Sequence, residues 1–248
     1  MNIKLLIEYE GTRYYGWQKQ KDLPTIQEVL EKEISKITAE KIILYGSGRT
    51  DSGVHALGQV ANFHTRCTTL SVSRIPKILN SLLPLDIRIK KAEGVEEKFH
   101  SRYSALSKIY HYYVWNNYQG SSYVPIFLRN YVYVIHRKVN LEKIKEAASF
   151  LLGEHDFTSF ANNNYTIQNP IRRILEISVF KKGEFICFHI EANSFLYKMV
   201  RTIVGTLLDI GYGKLDPSDL ERILQAKNRK LAGKVVPAKG LFLMRVNY

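Results

Sequence analysis

The hydrophobic pattern of the first half predicts six elements in the order strand, helix, strand, strand, helix, strand. The opening strand reads "NIKLLIEY", and the first helix reads "TIQEVLEKEISKI", with Thr25 and Glu28 in capping-box spacing. Its apolar residues recur at helical intervals: Ile26, Val29, Leu30, Ile34 and Ile37. The strands "KIILYG" and "GQVANFHT" follow, then a second helix and the strand "DIRIKKAEGV". The apolar stripe of the second helix comprises Ile75, Ile78, Leu79, Leu82 and Leu83.

The second half repeats this order with additions. Its strands read "KIYHYYVWN", "NYVYVIHR", "RRILEISVF", "EFICFHIEA" and "GLFLMRVNY", and "KKGE" predicts a hairpin turn between the third and fourth of them. One helix is predicted from Leu141 to Leu152 and another near Phe195 to Ile210. Asp216 and Pro217 can start a short third helix.

Both halves resemble split βαβ units, so the pattern predicts an α+β fold of two ferredoxin-like halves. In this prediction the antiparallel sheets pack around a central active-site cleft. The boundary is placed near Ser104, which gives an N-terminal half of residues 1–104 and a C-terminal half of residues 105–248.

The charge balance points to a polyanionic partner. Lys and Arg number 36 against 23 Asp and Glu, a formal net charge of +13. Phosphate backbones and anionic membranes are the usual partners of such an excess, and nucleic acid is favoured because no segment has the apolar length to span a bilayer. The opening "MNIKLLIEYE" is too short and too charged for a signal peptide, so we expect a cytoplasmic protein.

The cysteine and histidine spacing gives little support to a metal site. Cys67 and Cys187 are the two cysteines, far apart and without a partner spacing typical of zinc. His55 and His64 lie near Cys67 in sequence, but one such cluster without a second pair is weak evidence. We predict no metal.

The densest candidate chemistry lies in "YGSGRTDSGVHALGQVANFHT". Its glycines predict a tight connection between strands, and the run lacks the Gly-Lys-Ser/Thr ending of a phosphate-binding loop. On local chemistry alone Asp51 is a turn residue. Arg49, two residues earlier, favours a second interpretation, because a nearby guanidinium would keep a partly buried carboxylate ionised and orient it. Such a carboxylate is a candidate nucleophile or base.

Longer motifs decide between these interpretations. "GRTDSGVHALGQVANFH" resembles the signature of the tRNA pseudouridine synthase A family, whose catalytic aspartate lies in GRTD-x-GVHA. "YEGTRYYGWQKQ", "FHSRYSALSKIYHYYVWN", "GEHDFTSF", "NSFLYKMVRTIVGTLLDIG" and "AKGLFLMRVNY" are similar to other parts of the same family. The resemblance covers nearly the whole chain.

The resemblance implies a role for each matched residue. Asp51 is the catalytic nucleophile, Arg49 its nearest candidate partner, and Arg201 the basic residue that reaches the aspartate from the other half. Tyr110, in the K-x-Y motif, stacks on the target uracil. From the residues alone, Arg201 could equally be an ordinary arginine at a helix edge, and Tyr110 could be a core residue of a two-faced strand. Whether the aspartate attacks C1′, attacks the uracil ring or removes the C2′ proton stays open.

The resemblance also implies the substrate and the assembly. The family isomerises uridines 38 to 40 of the tRNA anticodon stem-loop without a cofactor, and it works as a homodimer. Basic residues near the matched motifs are candidate contacts to the RNA backbone: Arg13, Lys19, Arg102, Lys108, Arg172, Arg173 and Lys198.

Two other functions compete with this prediction. A noncatalytic RNA-binding module would share the basic residues and strand aromatics, but would need Asp51 only as a turn residue. A glycosidase or nucleosidase for small substrates would not need the net charge of +13, and should show a second acidic residue in a similarly constrained loop. The intact GRTD motif with Tyr110 and Arg201 favours the synthase.

Overall fold

The computed structural model of the protein describes residues 1–67, 70–118, 124–162 and 168–248. These residues contain ten β-strands and five α-helices, which confirms the mixed character predicted from the sequence. They divide into two units: Met1–Leu106 with Phe242–Tyr248, and Ser107–Leu241.

The first unit follows the predicted element order. Its elements are β1 (Asn2–Tyr9), α1 (Ile26–Thr38), β2 (Tyr45–Gly46), β3 (His55–His64), α2 (Ile75–Leu82) and β4 (Ile87–Val95). The antiparallel strand order is β4-β1-β3, and β2 also pairs with β3. Ile3, Leu5 and Ile7 of β1 are fully buried, as the alternation of that strand predicts.

The last strand of the chain, β10 (Leu241–Asn247), returns to this unit. It runs parallel to β3, with Phe242 opposite His55 and Leu243 opposite Ala56. The compact units therefore differ from the predicted halves 1–104 and 105–248, because residues 242–248 pack with the first unit.

Two local predictions in the first unit are wrong. Most of "KIILYG" is not a strand: the backbone amides of Ile42 and Leu44 bond the side chains of Ser35 and Glu31, so they do not join a ladder. The capping box at α1 also fails. Thr25 makes no side-chain cap, and its buried hydroxyl has no hydrogen-bond partner among the described residues.

The described part of the second unit contains five strands and three α-helices. They are β5 (Ser107–Asn116), β6 (Tyr133–Ile135), α3 (Leu141–Ser149), β7 (Gly153–Asp156), β8 (Ile171–Lys182), β9 (Phe185–Ala192), α4 (Met199–Gly211) and α5 (Asp219–Ala226). The strand order is β6-β5-β9-β8-β7, antiparallel except for the parallel pair β5 and β6. Gly183, at φ +58°, makes the predicted hairpin turn between β8 and β9.

Helix α4 differs from its prediction in two ways. It begins at Met199, because Lys198 has a left-handed backbone, φ +62°, that a helix cannot continue through. It is also buried on nearly every side, with Arg201 and Asp209 as the half-buried exceptions. The sequence pattern predicts instead one buried stripe, formed by Phe195, Met199, Val200, Ile203, Val204 and Leu207. Helix α3 ends three residues before Leu152, and the strand β7 was not predicted.

Within the described ranges, no helix is both long and apolar enough to cross a membrane.

Candidate active site

Asp51 lies in the loop of residues 46–54 that joins β2 to β3, here called the aspartate loop. Asp51 is half-buried, and its backbone carbonyl oxygen accepts a hydrogen bond from the Val54 amide at 3.1 Å. Between these two residues Gly53 has φ +77°, a conformation that a side chain would strain. The loop is thus a tight turn, as the glycine pattern predicts.

The segment after β1 holds the aspartate loop by its backbone. The Trp17 amide donates to the Thr50 carbonyl at 3.1 Å, and the Gly53 amide donates to the Tyr14 carbonyl at 3.3 Å. The Ser52 hydroxyl donates to the same Tyr14 oxygen at 3.2 Å. These bonds lie on both sides of Asp51, so they fix its backbone position.

Buried side chains also form hydrogen bonds with the aspartate loop. The Tyr9 and Thr50 hydroxyls are 2.8 Å apart, and burial raises the pKa of Tyr9 well above its usual range, so this phenol stays neutral. Fully buried Gln59 accepts from the Ser47 hydroxyl at 2.6 Å and donates to the Gly48 carbonyl at 3.0 Å. The loop is therefore fixed by buried polar contacts, which are costly to break.

Close packing explains two of the nearby glycines. A Cβ at Gly46 would lie 2.5 Å from Nε1 of buried Trp17, and a Cβ at Gly11 would lie 2.0 Å from the Val54 carbonyl oxygen. The Gly11 amide donates to His55 Nδ1 at 3.1 Å, and His55 is 1% exposed. His55 therefore makes a buried hydrogen bond to the segment after β1.

Arg49 is an exposed residue of the aspartate loop. Its Nε donates to Gln18 Oε1 at 3.0 Å. This bond ties the guanidinium to the segment that also holds the loop. The role of Arg49 toward Asp51 stays a prediction.

The second unit carries Tyr110 and Arg201. Tyr110 lies on β5, is 7% exposed, and contacts Phe195 edge-on with ring centres 5.1 Å apart. Arg201 is one of the two half-buried residues of α4, and its Nε donates to the Val236 carbonyl at 2.8 Å. That bond fixes the plane of the guanidinium. Neighbouring Tyr112 is fully buried and donates to the Pro237 carbonyl at 2.7 Å, as expected for a core residue.

The predicted RNA contacts of the first unit are exposed cations. The Arg13 side chain is 83% exposed, with one Nη 3.8 Å from Asp86, and the Lys19 side chain is 54% exposed, 3.8 Å from Glu31. At such exposure and distance these pairs contribute little free energy, so the cations can turn to phosphates. Arg102 is also exposed.

The predicted contacts of the second unit differ in accessibility. Arg173 is exposed, and half-buried Lys198 places its ammonium 4.9 Å from the ring centre of Tyr197. Arg172 donates to two nearby backbone carbonyls at 2.9 and 2.6 Å, and burial lowers its pKa. Lys108 is only 9% exposed. Arg173 and Lys198 are therefore the more accessible of the four.

Metal-ligating residue types meet at one place among the described residues. Atoms of Glu176, His189 and Glu191 lie within 4.8 Å of one another on β8 and β9. The suspected group of His55, His64 and Cys67 does not assemble, because the two histidines lie at opposite ends of β3, ~30 Å apart at strand rise.

Comparison with known proteins assigns the chain to a family. The family profile described as tRNA pseudouridine synthase matches residues 5–104 and 147–248. The chain is 44% identical over 247 residues to tRNA pseudouridine synthase A of Thermoanaerobacter sp. (strain X514), covering 100% of this chain and 99% of the relative. The chain belongs to the tRNA pseudouridine synthase family. These enzymes are isomerases that convert uridine to pseudouridine.

Other members of this family match the chain over the same length. The proteins of the same name from Acetivibrio thermocellus and Clostridium acetobutylicum are 42% and 44% identical over 247 residues, again covering 100% of this chain and 99% of each relative. Asp51 and Arg201 fall inside the two segments matched by the family profile, and Tyr110 falls between them.

The residues that hold the aspartate loop of this synthase were not predicted from the sequence. Tyr9, Trp17 and Gln59 carry no charge at neutral pH and lie in segments that predict ordinary strand or loop. The signal available was "YEGTRYYGWQKQ", where Gly11 and Gly16 mark close approach of backbones.

Proposed function

We propose that this enzyme converts uridines 38 to 40 of the tRNA anticodon stem-loop to pseudouridine, with Asp51 as the catalytic carboxylate and without a cofactor. The observation that carries the proposal is the fixed backbone of Asp51, held by hydrogen bonds to Tyr14 and Trp17 on either side. A catalytic group held rigidly by its surroundings loses little freedom when the substrate arrives.

The chemistry of the isomerisation explains why one carboxylate is sufficient. The N1–C1′ bond of uridine breaks, the base turns, a C5–C1′ bond forms, and the C5 proton leaves to solvent while N1 gains one. Substrate and product are isomers, so the reaction needs no oxidant, reductant or energy donor. An ionised Asp51 could add to C1′, add to the ring or remove the C2′ proton, and each route uses the same carboxylate.

The other residues take supporting roles in the proposal. Arg201 and Arg49 are the basic groups that keep the Asp51 carboxylate ionised and oriented. Tyr110 stacks on the target uracil, which leaves its own stack on entering the site. Arg13, Lys19, Arg102, Arg173 and Lys198 contact RNA phosphates, with smaller parts for the less accessible Lys108 and Arg172.

We infer the finer fold from the first unit. Its strands order as β4-β1-β3-β2 around the element sequence strand, helix, strand, strand, helix, strand, and this supports a ferredoxin-like half. A homodimer rests on the family resemblance, and a cytoplasmic location stays a prediction from the sequence. Sedimentation of the purified protein checks the dimer.

The role of Asp51 is tested with tRNA carrying tritium at C5 of uridine. Label reaches water only when C5 becomes bonded to ribose. We expect Asp51→Asn to lower release by at least ~10³-fold, the scale seen when a nucleophile is removed. Asp216→Asn is the matched control, because that carboxylate is 74% exposed and pairs with Lys143.

Normal release from Asp51→Asn would contradict the catalytic assignment. No release from the unmodified enzyme, together with tight tRNA binding, would favour the noncatalytic RNA-binding module. Reverse transcription of carbodiimide-treated product maps the modified uridines, and stops outside positions 38 to 40 would overturn the site assignment alone.

A further inference from the structure

Three aromatic rings of the first unit form an exposed row. The ring centres of Tyr45 and His100 are 5.0 Å apart, and those of His100 and Tyr103 are 4.4 Å apart. The guanidinium carbon of Arg102 lies 5.5 Å from the centre of the Tyr103 ring. We call Tyr45, His100 and Tyr103 the aromatic row.

Tyr103 is the most accessible member of the row. It is 76% exposed, Tyr45 is 39% exposed, and His100 is half-buried. An exposed tyrosine at the end of a row gains little from the core, because most of its apolar surface stays in water. Most of its surface is therefore accessible to a planar ligand, and the Arg102 guanidinium lies over the ring.

The backbone beneath the row is well fixed. The Ser104 amide donates to the His100 carbonyl at 2.9 Å, and the His100 amide donates to the Ser104 hydroxyl at 3.2 Å. These two bonds close a turn over residues 100–104. His100 and Tyr103 therefore lie on a defined turn, although Tyr103 is exposed.

Fully buried Ser101 anchors that turn to two strands. Its amide donates to Asn62 Oδ1 on β3 at 2.8 Å, and its hydroxyl donates to the Tyr45 carbonyl on β2. The Tyr248 hydroxyl donates to the Ser101 carbonyl at 2.7 Å. Little conformational entropy is lost when a ligand binds to a surface fixed in this way.

The row adjoins the aspartate loop in the chain. Tyr45 is followed directly by Gly46, the first residue of that loop, and these two residues form the short strand β2. A ligand stacked on this row would be held by the element that also positions the loop. The proposed substrate, an RNA with unpaired bases, supplies a ligand of the right shape and charge.

We propose that the aromatic row is a second nucleobase-binding site, which stacks an unpaired base of the RNA substrate other than the uridine that reacts. Arg102, beside the outermost ring, contacts a phosphate next to that base. Stacking accepts any base, because every base has a π-face, while the arginine adds attraction for the backbone. This inference rests on the proposed function, because that function supplies the RNA ligand.

Replacement of Tyr103 tests the stacking. We measure binding of a fluorescent anticodon stem-loop in the Asp51→Asn background, where no turnover occurs. Tyr103→Ala should weaken binding about 5- to 20-fold, toward the lower end of measured base–aromatic stacking, because the row is exposed. Tyr103→Phe and Tyr103→Trp should bind within about 2-fold of the parent, since each keeps a ring. Phe127→Ala, at an 82% exposed aromatic of the second unit, is the control.

A set of abasic stem-loops identifies the stacked base. Removing that base should weaken binding to the parent, yet add no further loss to Tyr103→Ala. The effect of Tyr103→Ala should also be the same at all salt concentrations, whereas Arg102→Gln should reduce the salt dependence. A merely structural role of Tyr103 would give none of this coupling to one RNA position.

Two results would overturn the proposal: equal losses from Tyr103→Ala and Tyr103→Phe, or unchanged RNA binding by Tyr103→Ala, whether alone or together with dissociation of an oligomer. Such dissociation would make the row a protein contact. Because binding is measured apart from tritium release, failure of the row and failure of the catalytic proposal give different results.

Discussion

At the scale of single residues, Gly46 links the packing of the aspartate loop to catalysis. A Cβ there would lie 2.5 Å from Trp17 Nε1, and Trp17 is 2% exposed, so the indole has little room to move. We expect Gly46→Ala to lower the free energy of unfolding by about 1–3 kcal/mol, the usual cost of overpacking, and to reduce tritium release. Urea denaturation and the release assay measure the two effects.

Gly94→Ala is the matched control for this prediction. Gly94 is also a strand residue, but nothing lies within 4 Å of a Cβ placed there. Its stability should stay within about 0.5 kcal/mol of the parent, as for other surface substitutions. Equal stabilities of the two variants would show that the indole moves aside and that close packing at Gly46 does not hold the loop.

At the scale of elements, periodicity predicts secondary structure well where side chains alone decide it. Strand β1 begins and ends where its alternation predicts. "KIILYG" has the same alternation, with Ile42 and Leu44 buried, but helix α1 satisfies its backbone donors. Whether a side chain or a neighbouring strand accepts from these backbone amides depends on tertiary packing, so the local hydrophobic pattern could not predict it.

Two of the helix N-cap residues, Thr25 and Asn140, give an element-scale prediction with opposite signs. Thr25 at α1 buries a hydroxyl without a partner, whereas Asn140 at α3 accepts from the Lys143 amide at 3.1 Å. Thr25→Val keeps the shape and removes the orphan hydroxyl, so it should be neutral or stabilising by up to about 1 kcal/mol. Asn140→Ala should destabilise by about 1 kcal/mol.

Thermal unfolding of both variants distinguishes these mechanisms. A lower midpoint for Thr25→Val would show that the hydroxyl is satisfied in solution, and an unchanged midpoint for Asn140→Ala would show that its cap contributes no stability. Both residues lie away from the aspartate loop in sequence, so tritium release serves as the check that the fold is intact.

At the scale of the whole molecule, the sequence points to the candidate catalytic residue more readily than to the residues that hold that residue in place. Asp51 could be singled out because Arg49 lies two residues before it and because "GRTDSGVHA" resembles a family signature, and its catalytic role stays a prediction. The residues that hold its loop could not, since Tyr9 acts through a contact with Thr50 that is distant in the chain and Gln59 through hydrogen bonds of a buried amide that the pattern of β3 does not reveal. The return of β10 to the first unit is a long-range pairing of the same kind.

The net charge of +13 leads to a prediction for the whole enzyme and its RNA. The logarithm of the RNA-binding constant should fall linearly with the logarithm of the salt concentration, because each phosphate that contacts a cation releases counterions. Arg13, 83% exposed and only loosely paired with Asp86, should account for one such contact. Arg13→Gln should therefore reduce the slope by about 0.7–0.9.

Lys145→Gln is the control for the salt slope. Lys145 has a similar charge on α3, but it pairs with Glu142 at 2.9 Å and lies outside the motifs shared with the family. Its slope should equal that of the parent, since the measurement counts only cations that meet phosphates. If both variants reduce the slope equally, the whole positive field attracts the RNA and Arg13 has no contact of its own.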